Sequence, residues 1–137
     1  MPGGQDHTEK IRVGAALSLS GRFSHERCAN LPPDDWRRYD ASFNEPELGA
    51  NLLLVERLEG IATRVGCTLP ELAIAWTLAW RGVDGAIVGA RRPEQVDGWI
   101  RAADVQLGAD ALADIAAAIK ATGAGSGPLS PTRTAAD

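Results

Sequence analysis

The sequence predicts an α/β fold that is mostly helical, with one or two short parallel strands. Its second half runs as a helix, a short glycine link, an apolar strand at 85–88 and another helix, which is the order of a parallel α/β unit. A parallel strand needs neighbours on both edges, yet the only other strand candidate is a weak one at 11–19. We therefore expect these residues to belong to a larger sheet whose other strands lie outside this sequence.

The composition is that of an ordinary globular domain. Of the 137 residues, 45% are hydrophobic and 23% are charged. The net charge of −4 argues against a general nucleic-acid binder, since binding to phosphate backbones needs an excess of Lys and Arg. Cys28 and Cys67 fit neither a metal-ligand spacing nor a disulfide framework, and no apolar run reaches the length of a membrane span. A soluble, cytoplasmic protein is expected.

The two ends differ in composition from the middle. Residues 1–16 are expected to be a divergent or disordered segment, and 122–137 a disordered tail rich in Gly, Ser, Pro and Thr. The stretch 21–46 has the prolines and aspartates of a long loop. Among these, Asp34 and Asp35 are interpreted as a turn before Trp36 rather than as metal ligands.

Apolar residues at three- and four-residue spacing predict a first helix at about 46–64, closed by Gly66. A second helix at about 69–81 opens with Thr68, which forms a capping box with Glu71. This helix is apolar nearly all round and must be covered by other structure. A helix at about 93–102 and a last amphipathic helix carrying Leu112, Ile115, Ala116 and Ile119 complete the order.

The turn after the predicted strand 85–88 is the most informative motif. Gly89 lets the backbone turn or approach a ligand, and Pro93 suits the first position of a helix. Arg91 and Arg92 lie between them, where free N–H groups and the positive end of the helix dipole would face an anion. Composition alone favours a solvated arginine pair at the start of a helix over a phosphate contact.

Three blocks of residues resemble the aldo-keto reductases, which are (β/α)8 barrels that reduce carbonyls with NADPH. Residues 19–23 resemble the loop after barrel strand seven, 34–38 with Phe43 resemble the insertion that follows it, and 68–95 resemble the last helix-strand-helix unit. The resemblance implies that 17–121 form the C-terminal third of such a TIM barrel.

The resemblance also implies a role for the arginine turn, because in this family the turn after strand eight holds the 2′-phosphate and adenine side of NADPH. Carried over by position, the implied cofactor-binding residues are Gly89, Ala90 and Arg91 at the adenosine phosphate, Gln95 at the adenine or ribose, Arg22 near the pyrophosphate or the nicotinamide-side loop, and Arg38. Where the family commonly has Glu-Asn against the adenine, this chain has Gly98 and Trp99.

No catalytic residue is assigned. The family uses an Asp, Tyr, Lys and His tetrad on earlier strands, and Lys10, His25 and Tyr39 match none of its motifs. The resemblance thus implies an oxidoreductase portion that binds the NADPH 2′-phosphate and is inactive alone. Two alternatives stay open: a helical homo-oligomeric interaction module derived from such an enzyme, and a fragment completed by a separate N-terminal barrel chain. Trp76 and Trp80 are expected to pack against barrel strands.

Overall fold

The structure is a computed structural model, and it describes residues 22–125 and 127–131. Across these residues the fold is helical, without a strand. The α-helices are α1 (His25–Ala29), α2 (Glu47–Val65), α3 (Leu69–Leu78), α4 (Pro93–Asp97) and α5 (Ala109–Thr122), with 3₁₀ helices at Trp36–Tyr39, Ala41–Phe43 and Ile100–Asp104. The expectations for 1–16 and for a strand at 11–19 lie outside the described residues.

The strand predicted at 85–88 is not confirmed. Residues 83–90 run without helix or strand pairing, and most of them are exposed. Ile87 is fully exposed, at 106% of its reference area. A parallel strand is stabilised by hydrogen bonds to neighbours on both sides, and the described part of this chain supplies no neighbour.

Helix α2 follows the predicted pattern closely. Its apolar spacing buries one face, and its end is a left-handed Gly66 with φ of 84°, as the sequence predicts. The buried side chains of α2 are Leu48, Leu54, Val55, Leu58, Ile61 and Ala62. This helix is therefore a central element, against which α3, α5 and the 3₁₀ helix Ala41–Phe43 pack.

Helix α3 begins with the predicted capping box, which is confirmed. Thr68 Oγ1 accepts a hydrogen bond from the Glu71 backbone at 3.2 Å, and the Glu71 carboxylate accepts one from the Thr68 backbone at 3.0 Å. Glu71 is buried, so this reciprocal pairing satisfies a carboxylate that would otherwise be costly inside the protein. The helix ends at Leu78, earlier than the predicted residue 81.

The main core joins α2, α3 and α5. Leu72 on α3 is the most deeply buried large side chain, with 1% of its surface exposed. Helix α5 packs along α2 and ends at Gly123, whose φ is 67°. Ala124, beyond the helix, is also buried in this core. The packed part of the chain thus reaches residue 124, slightly beyond the expected boundary at 121.

The expected loop at 21–46 contains short helices and a small core of its own. Phe43, 2% exposed, packs with Cys28 and Leu48, and Phe23 and Leu52 lie against them. Side-chain caps begin each of the short helices in this stretch: Ser24 for α1, Asp35 for the first 3₁₀ helix and Asp40 for the second. Asp35 is thus a capping residue at a turn, as the sequence analysis proposed.

The helix predicted at 93–102 is interrupted. Helix α4 ends at Asp97, and Trp99 leaves helical geometry with φ of −144° before the 3₁₀ helix Ile100–Asp104 begins. Thr68 Oγ1 donates a hydrogen bond to the Gly98 carbonyl at 2.8 Å, which fastens the break to the start of α3. In the part of the chain that the structure describes, none of the helices is long and apolar enough to cross a membrane.

Candidate functional site

The arginine turn is closed by the side chain of Gln95. Gln95 Oε1 accepts hydrogen bonds from the backbone nitrogens of Arg91 at 2.7 Å and Arg92 at 3.2 Å. Pro93 occupies the first helical position, as predicted. A carboxamide oxygen of the same chain thus occupies these two N–H groups, which precede the helix.

The positive charge of the turn therefore resides in its side chains. Helix α4 has only five residues, so few peptide dipoles add up at its N-terminus. Arg91 and Arg92 are both exposed, and their guanidinium groups carry permanent charge. An anion at this turn would therefore be attracted by two exposed arginine side chains.

A second charged pair lies close to this turn. Arg37 Nε donates to Asp35 Oδ1 at 2.8 Å, Arg37 Nη2 donates to Asp35 Oδ2, and the Arg37 backbone nitrogen donates to Oδ1 at 3.0 Å. The hydrogen bonds from Arg37 lower the pKa of Asp35 to about 2, and the charge of Arg91 lowers it further in the same direction. The arginine turn and the first 3₁₀ helix, which are far apart in sequence, thus lie within electrostatic range of each other.

Phe23 follows Arg22, one of the predicted cofactor-binding residues, and its ring contacts Arg37 of the Asp35–Arg37 pair. The guanidinium carbons of Arg27 and Arg37 lie 4.9 Å and 5.3 Å from the centre of the Phe23 ring, which are cation–π distances. Arg27 Nη1 also donates to the carbonyl oxygen of Arg22 at 2.9 Å. A series of neighbouring groups therefore runs from the exposed Arg22 through Phe23 to Asp35.

Three further residues were predicted to bind the cofactor, namely Arg38, Gly89 and Ala90. Arg38 is exposed, and its Nη1 donates to the Leu31 carbonyl at 3.1 Å, a contact that holds the loop. Gly89 and Ala90 lie in the exposed segment before the turn, and a Cβ built on Gly89 would meet nothing within 4 Å. The described part of the chain therefore presents no close neighbour that would require glycine at position 89.

Sequence reasoning missed Asp35, Arg37 and Arg27 as members of this cluster. A signal for the first two was present, since an aspartate that caps a short helix lies two residues before an arginine and can bind it locally. Arg27 also had a local signal, since it lies four residues after Phe23, whereas the contact of Arg37 with Phe23 depends on tertiary packing.

The other chemically versatile side chains form no catalytic arrangement among the described residues. His25 Nδ1 lies 3.0 Å from Glu45 Oε1 on the surface, and the Tyr39 hydroxyl donates to the Pro33 carbonyl at 3.0 Å. Burial raises the pKa of the Cys28 and Cys67 thiols, which keeps them protonated and poorly nucleophilic at neutral pH.

Trp76 and Trp80 are half-buried and pack against each other. Their rings meet edge to face, with centroids 5.2 Å apart. Both indole nitrogens are buried, and neither has a hydrogen-bond acceptor among the residues that the structure describes. Since a buried donor without an acceptor costs about 1–3 kcal/mol, this end of α3 is incompletely satisfied.

Comparison with known proteins places these features in a family. Residues 12–120 match the aldo/keto reductase family. The chain is similar to aldo-keto reductase YhdN of Bacillus subtilis (strain 168), with 35% identity over 80 residues, which is 58% of this chain and 24% of the relative. It thus aligns with about a quarter of that relative's length. Because the family match covers most of the sequence, including the arginine turn and its neighbours, the chain belongs to the aldo/keto reductase family.

Proposed function

We propose that this chain supplies the part of an aldo-keto reductase that binds the 2′-phosphate and adenosine of NADPH. Membership of the family supports an NAD(P)H-linked oxidoreductase role. The observation that carries the narrower proposal is the turn at Arg91, which is held in shape by Gln95 and leaves its guanidinium exposed. We also propose that residues 17–121 form the C-terminal third of a (β/α)8 barrel.

The residues present fit one end of the cofactor. The Arg91 guanidinium is exposed and suited to a doubly charged phosphate group, with Arg92 beside it. Gln95 already satisfies the two backbone donors, so its role toward the cofactor is to hold the turn and to face the adenosine. Arg22 and Arg38 are proposed as further contacts. When bound, NADPH supplies a hydride, and these residues contribute binding and orientation.

The segment at 85–88 is proposed to become a barrel strand when its neighbours are present. It is apolar and rich in β-branched residues, and it exposes Ile87 completely. A strand covered on both faces would bury that side chain, which stabilises by about 1.5–3 kcal/mol. In a complete barrel this strand would carry Gly89 and Arg91 to the end where barrels bind phosphate.

A polypeptide of these 137 residues is proposed to have no carbonyl reductase activity by itself. None of its residues matches the motifs of the tetrad, and Tyr39 and His25 are engaged in local contacts. A cytoplasmic location is proposed, in keeping with two free cysteines. Turnover of a panel of aldehydes by the purified chain at ordinary enzyme rates would contradict the proposed inactivity.

The binding proposal is tested by titrating NADPH and NADH into the ¹⁵N-labelled chain. We expect weak binding, with NADPH shifting the amide signals of Arg91, Arg92 and Gln95 more than NADH does. Replacing Arg91 by Ala should weaken NADPH binding by about tenfold or more and leave NADH nearly unaffected, because a charge-assisted hydrogen bond contributes about 1.5–3 kcal/mol.

The matched control is Arg101→Ala. Arg101 is an exposed arginine of the neighbouring 3₁₀ helix and has no proposed role in the site. Equal effects of the Arg91 and Arg101 substitutions would show that only overall charge matters. Equal shifts by the two cofactors would contradict the 2′-phosphate site.

A second candidate function is that of an interaction module, and one observation favours it. The indole nitrogens of Trp76 and Trp80 are buried without acceptors, close in sequence to the exposed Ile87. The partner that suits the surface at Trp76, Trp80 and Ile87 is the part of the barrel outside this sequence, on the same or another polypeptide. Strands there would offer backbone carbonyls as acceptors for the two indole nitrogens. Light scattering tests this: a discrete folded dimer would instead favour homo-oligomerisation, and a monomer that binds the missing barrel portion would favour completion.

A further inference from the structure

The sequence contains two Asp-Gly pairs, Asp84–Gly85 and Asp97–Gly98. Such a pair is chemically reactive because glycine has no Cβ to shield its nitrogen, so that nitrogen can reach the preceding carboxyl carbon. Attack requires an extended aspartate backbone and a glycine N–H that is free to leave its surroundings. The two pairs of this chain differ in whether the aspartate lies in a helix and in whether the glycine N–H is hydrogen-bonded.

At the first pair the nitrogen is accessible. Asp84 and Gly85 are exposed, and they lie outside any helix. Within the described residues no hydrogen bond engages the Gly85 nitrogen, and a Cβ built on Gly85 would meet nothing within 4 Å. Nothing in this environment opposes the approach of the nitrogen to the carboxyl carbon.

At the second pair the nitrogen is held. Gly98 is the C-cap of α4, with helical φ and ψ of −72° and −12°, and its nitrogen donates to the Gln95 carbonyl at 3.3 Å. The Gly98 carbonyl accepts the hydrogen bond from Thr68 at 2.8 Å. Helical geometry also turns the following nitrogen away from the carboxyl carbon, so closing the ring would require this turn to unfold first.

We propose that Asp84 is a site of spontaneous isoaspartate formation and that Asp97 is protected by its fold. The Gly85 nitrogen forms a bond to Asp84 Cγ, the carboxyl hydroxyl leaves as water with the amide proton, and a succinimide results. Water then adds to either ring carbonyl, and opening restores aspartate or leaves isoaspartate. No oxidant, reductant or other co-reactant is needed, and the net mass does not change.

The modification would act on the segment that leads to the arginine turn. Isoaspartate routes the backbone through the side chain and adds one methylene between α3 and residue 85. In the barrel strand proposed for 85–88, neighbouring residues would alternate between faces, and such an insertion would displace the side chains that follow from their faces. The product would also carry a free α-carboxylate that a protein isoaspartate methyltransferase can methylate.

The chain provides its own internal control in a tryptic digest. Cleavage after Arg81 and Arg91 releases peptide 82–91, and cleavage after Arg101 releases 92–101, since the bond between Arg92 and Pro93 resists trypsin. Each peptide contains one Asp-Gly pair. One sample of the full chain is aged at neutral pH in the native state, and a second is aged in guanidinium. Both are then digested and analysed by electron-transfer fragmentation and by methyltransferase labelling.

We expect isoaspartate to accumulate several-fold faster in 82–91 than in 92–101 in the native chain, and the two rates to converge in guanidinium. Asp84→Glu should abolish the signal in 82–91 only, and Gly85→Ala should slow it, since the added methyl shields the nitrogen and meets no neighbour. Equal native rates at the two pairs, or faster modification at Asp97, would overturn the proposal. These outcomes do not depend on whether the chain binds NADPH.

Discussion

Gln95 Oε1 lies 2.7 Å from the backbone nitrogen of Arg91, so a side chain from the first turn of α4 closes the turn that precedes it. The same oxygen accepts from Arg92 at 3.2 Å. The shape of the proposed phosphate site is therefore set by a residue that carries no charge, and the arginines contribute the charge. This division of roles leads to the first prediction.

Replacing Gln95 by Ala should loosen the arginine turn without unfolding the protein. The substitution removes two neutral hydrogen bonds, each contributing about 0.5–1.5 kcal/mol. Amide hydrogen exchange at Arg91 and Arg92 should accelerate, while exchange in α5 stays unchanged. Gln95→Glu retains an acceptor oxygen and should preserve protection; equal acceleration in both variants would contradict the capping role.

The Asp35 carboxylate should remain ionised to unusually low pH. The hydrogen bonds from Arg37 lower its pKa to about 2 from the ordinary 3.8. Because the folded-state pKa is depressed, the stabilisation from this group is present above the unfolded pKa and is lost as pH falls toward about 2. A carboxyl ¹³C titration measures this directly. Arg37→Gln should return the pKa toward 3.8, and an unchanged value would show that Arg37 is not the cause.

Loss of the Thr68 hydroxyl should destabilise the protein more than loss of an ordinary cap. Thr68 Oγ1 accepts from the Glu71 backbone and donates to the Gly98 carbonyl. Removing an N-cap oxygen costs about 0.5–2 kcal/mol, and the second contact places Thr68→Ala toward the upper end. Urea unfolding measures the change. Thr68→Ser keeps both hydrogen bonds and should restore most of the stability; an equally unstable serine variant would implicate the methyl group instead.

The core centred on α3 should be sensitive at Leu72. This side chain is 1% exposed, so Leu72→Ala should lower the free energy of unfolding by about 2–5 kcal/mol. Leu53 on α2 is 43% exposed and serves as the matched control, with an expected change within about 0.5 kcal/mol. Chemical denaturation measures the free energy of unfolding of the two variants. Similar losses in both would show that Leu72 is not at the centre of the core.

Trp80→Phe should leave the free energy of unfolding unchanged or raise it. The indole nitrogen of Trp80 is buried and has no acceptor within 22–125 and 127–131, and phenylalanine removes that donor while retaining an aromatic ring against Trp76. An unsatisfied buried donor costs about 1–3 kcal/mol, which offsets the smaller ring. A clear loss of stability by thermal unfolding would mean that the nitrogen has a partner in solution.

Local chemistry was sufficient for the sequence to determine helix α2 with its Gly66 end, the capping box at Thr68 and the position of Pro93. Each depends on residues within four positions of one another, where spacing and side-chain type decide the backbone. The tertiary structure decided what depends on distant residues. It placed Arg91 near Asp35 and Arg37 over Phe23, and it broke the helix predicted at 93–102 at Trp99, beside a carbonyl held by Thr68. It also left 85–88 without strand partners, because a parallel strand is stabilised by neighbours that no local pattern can supply.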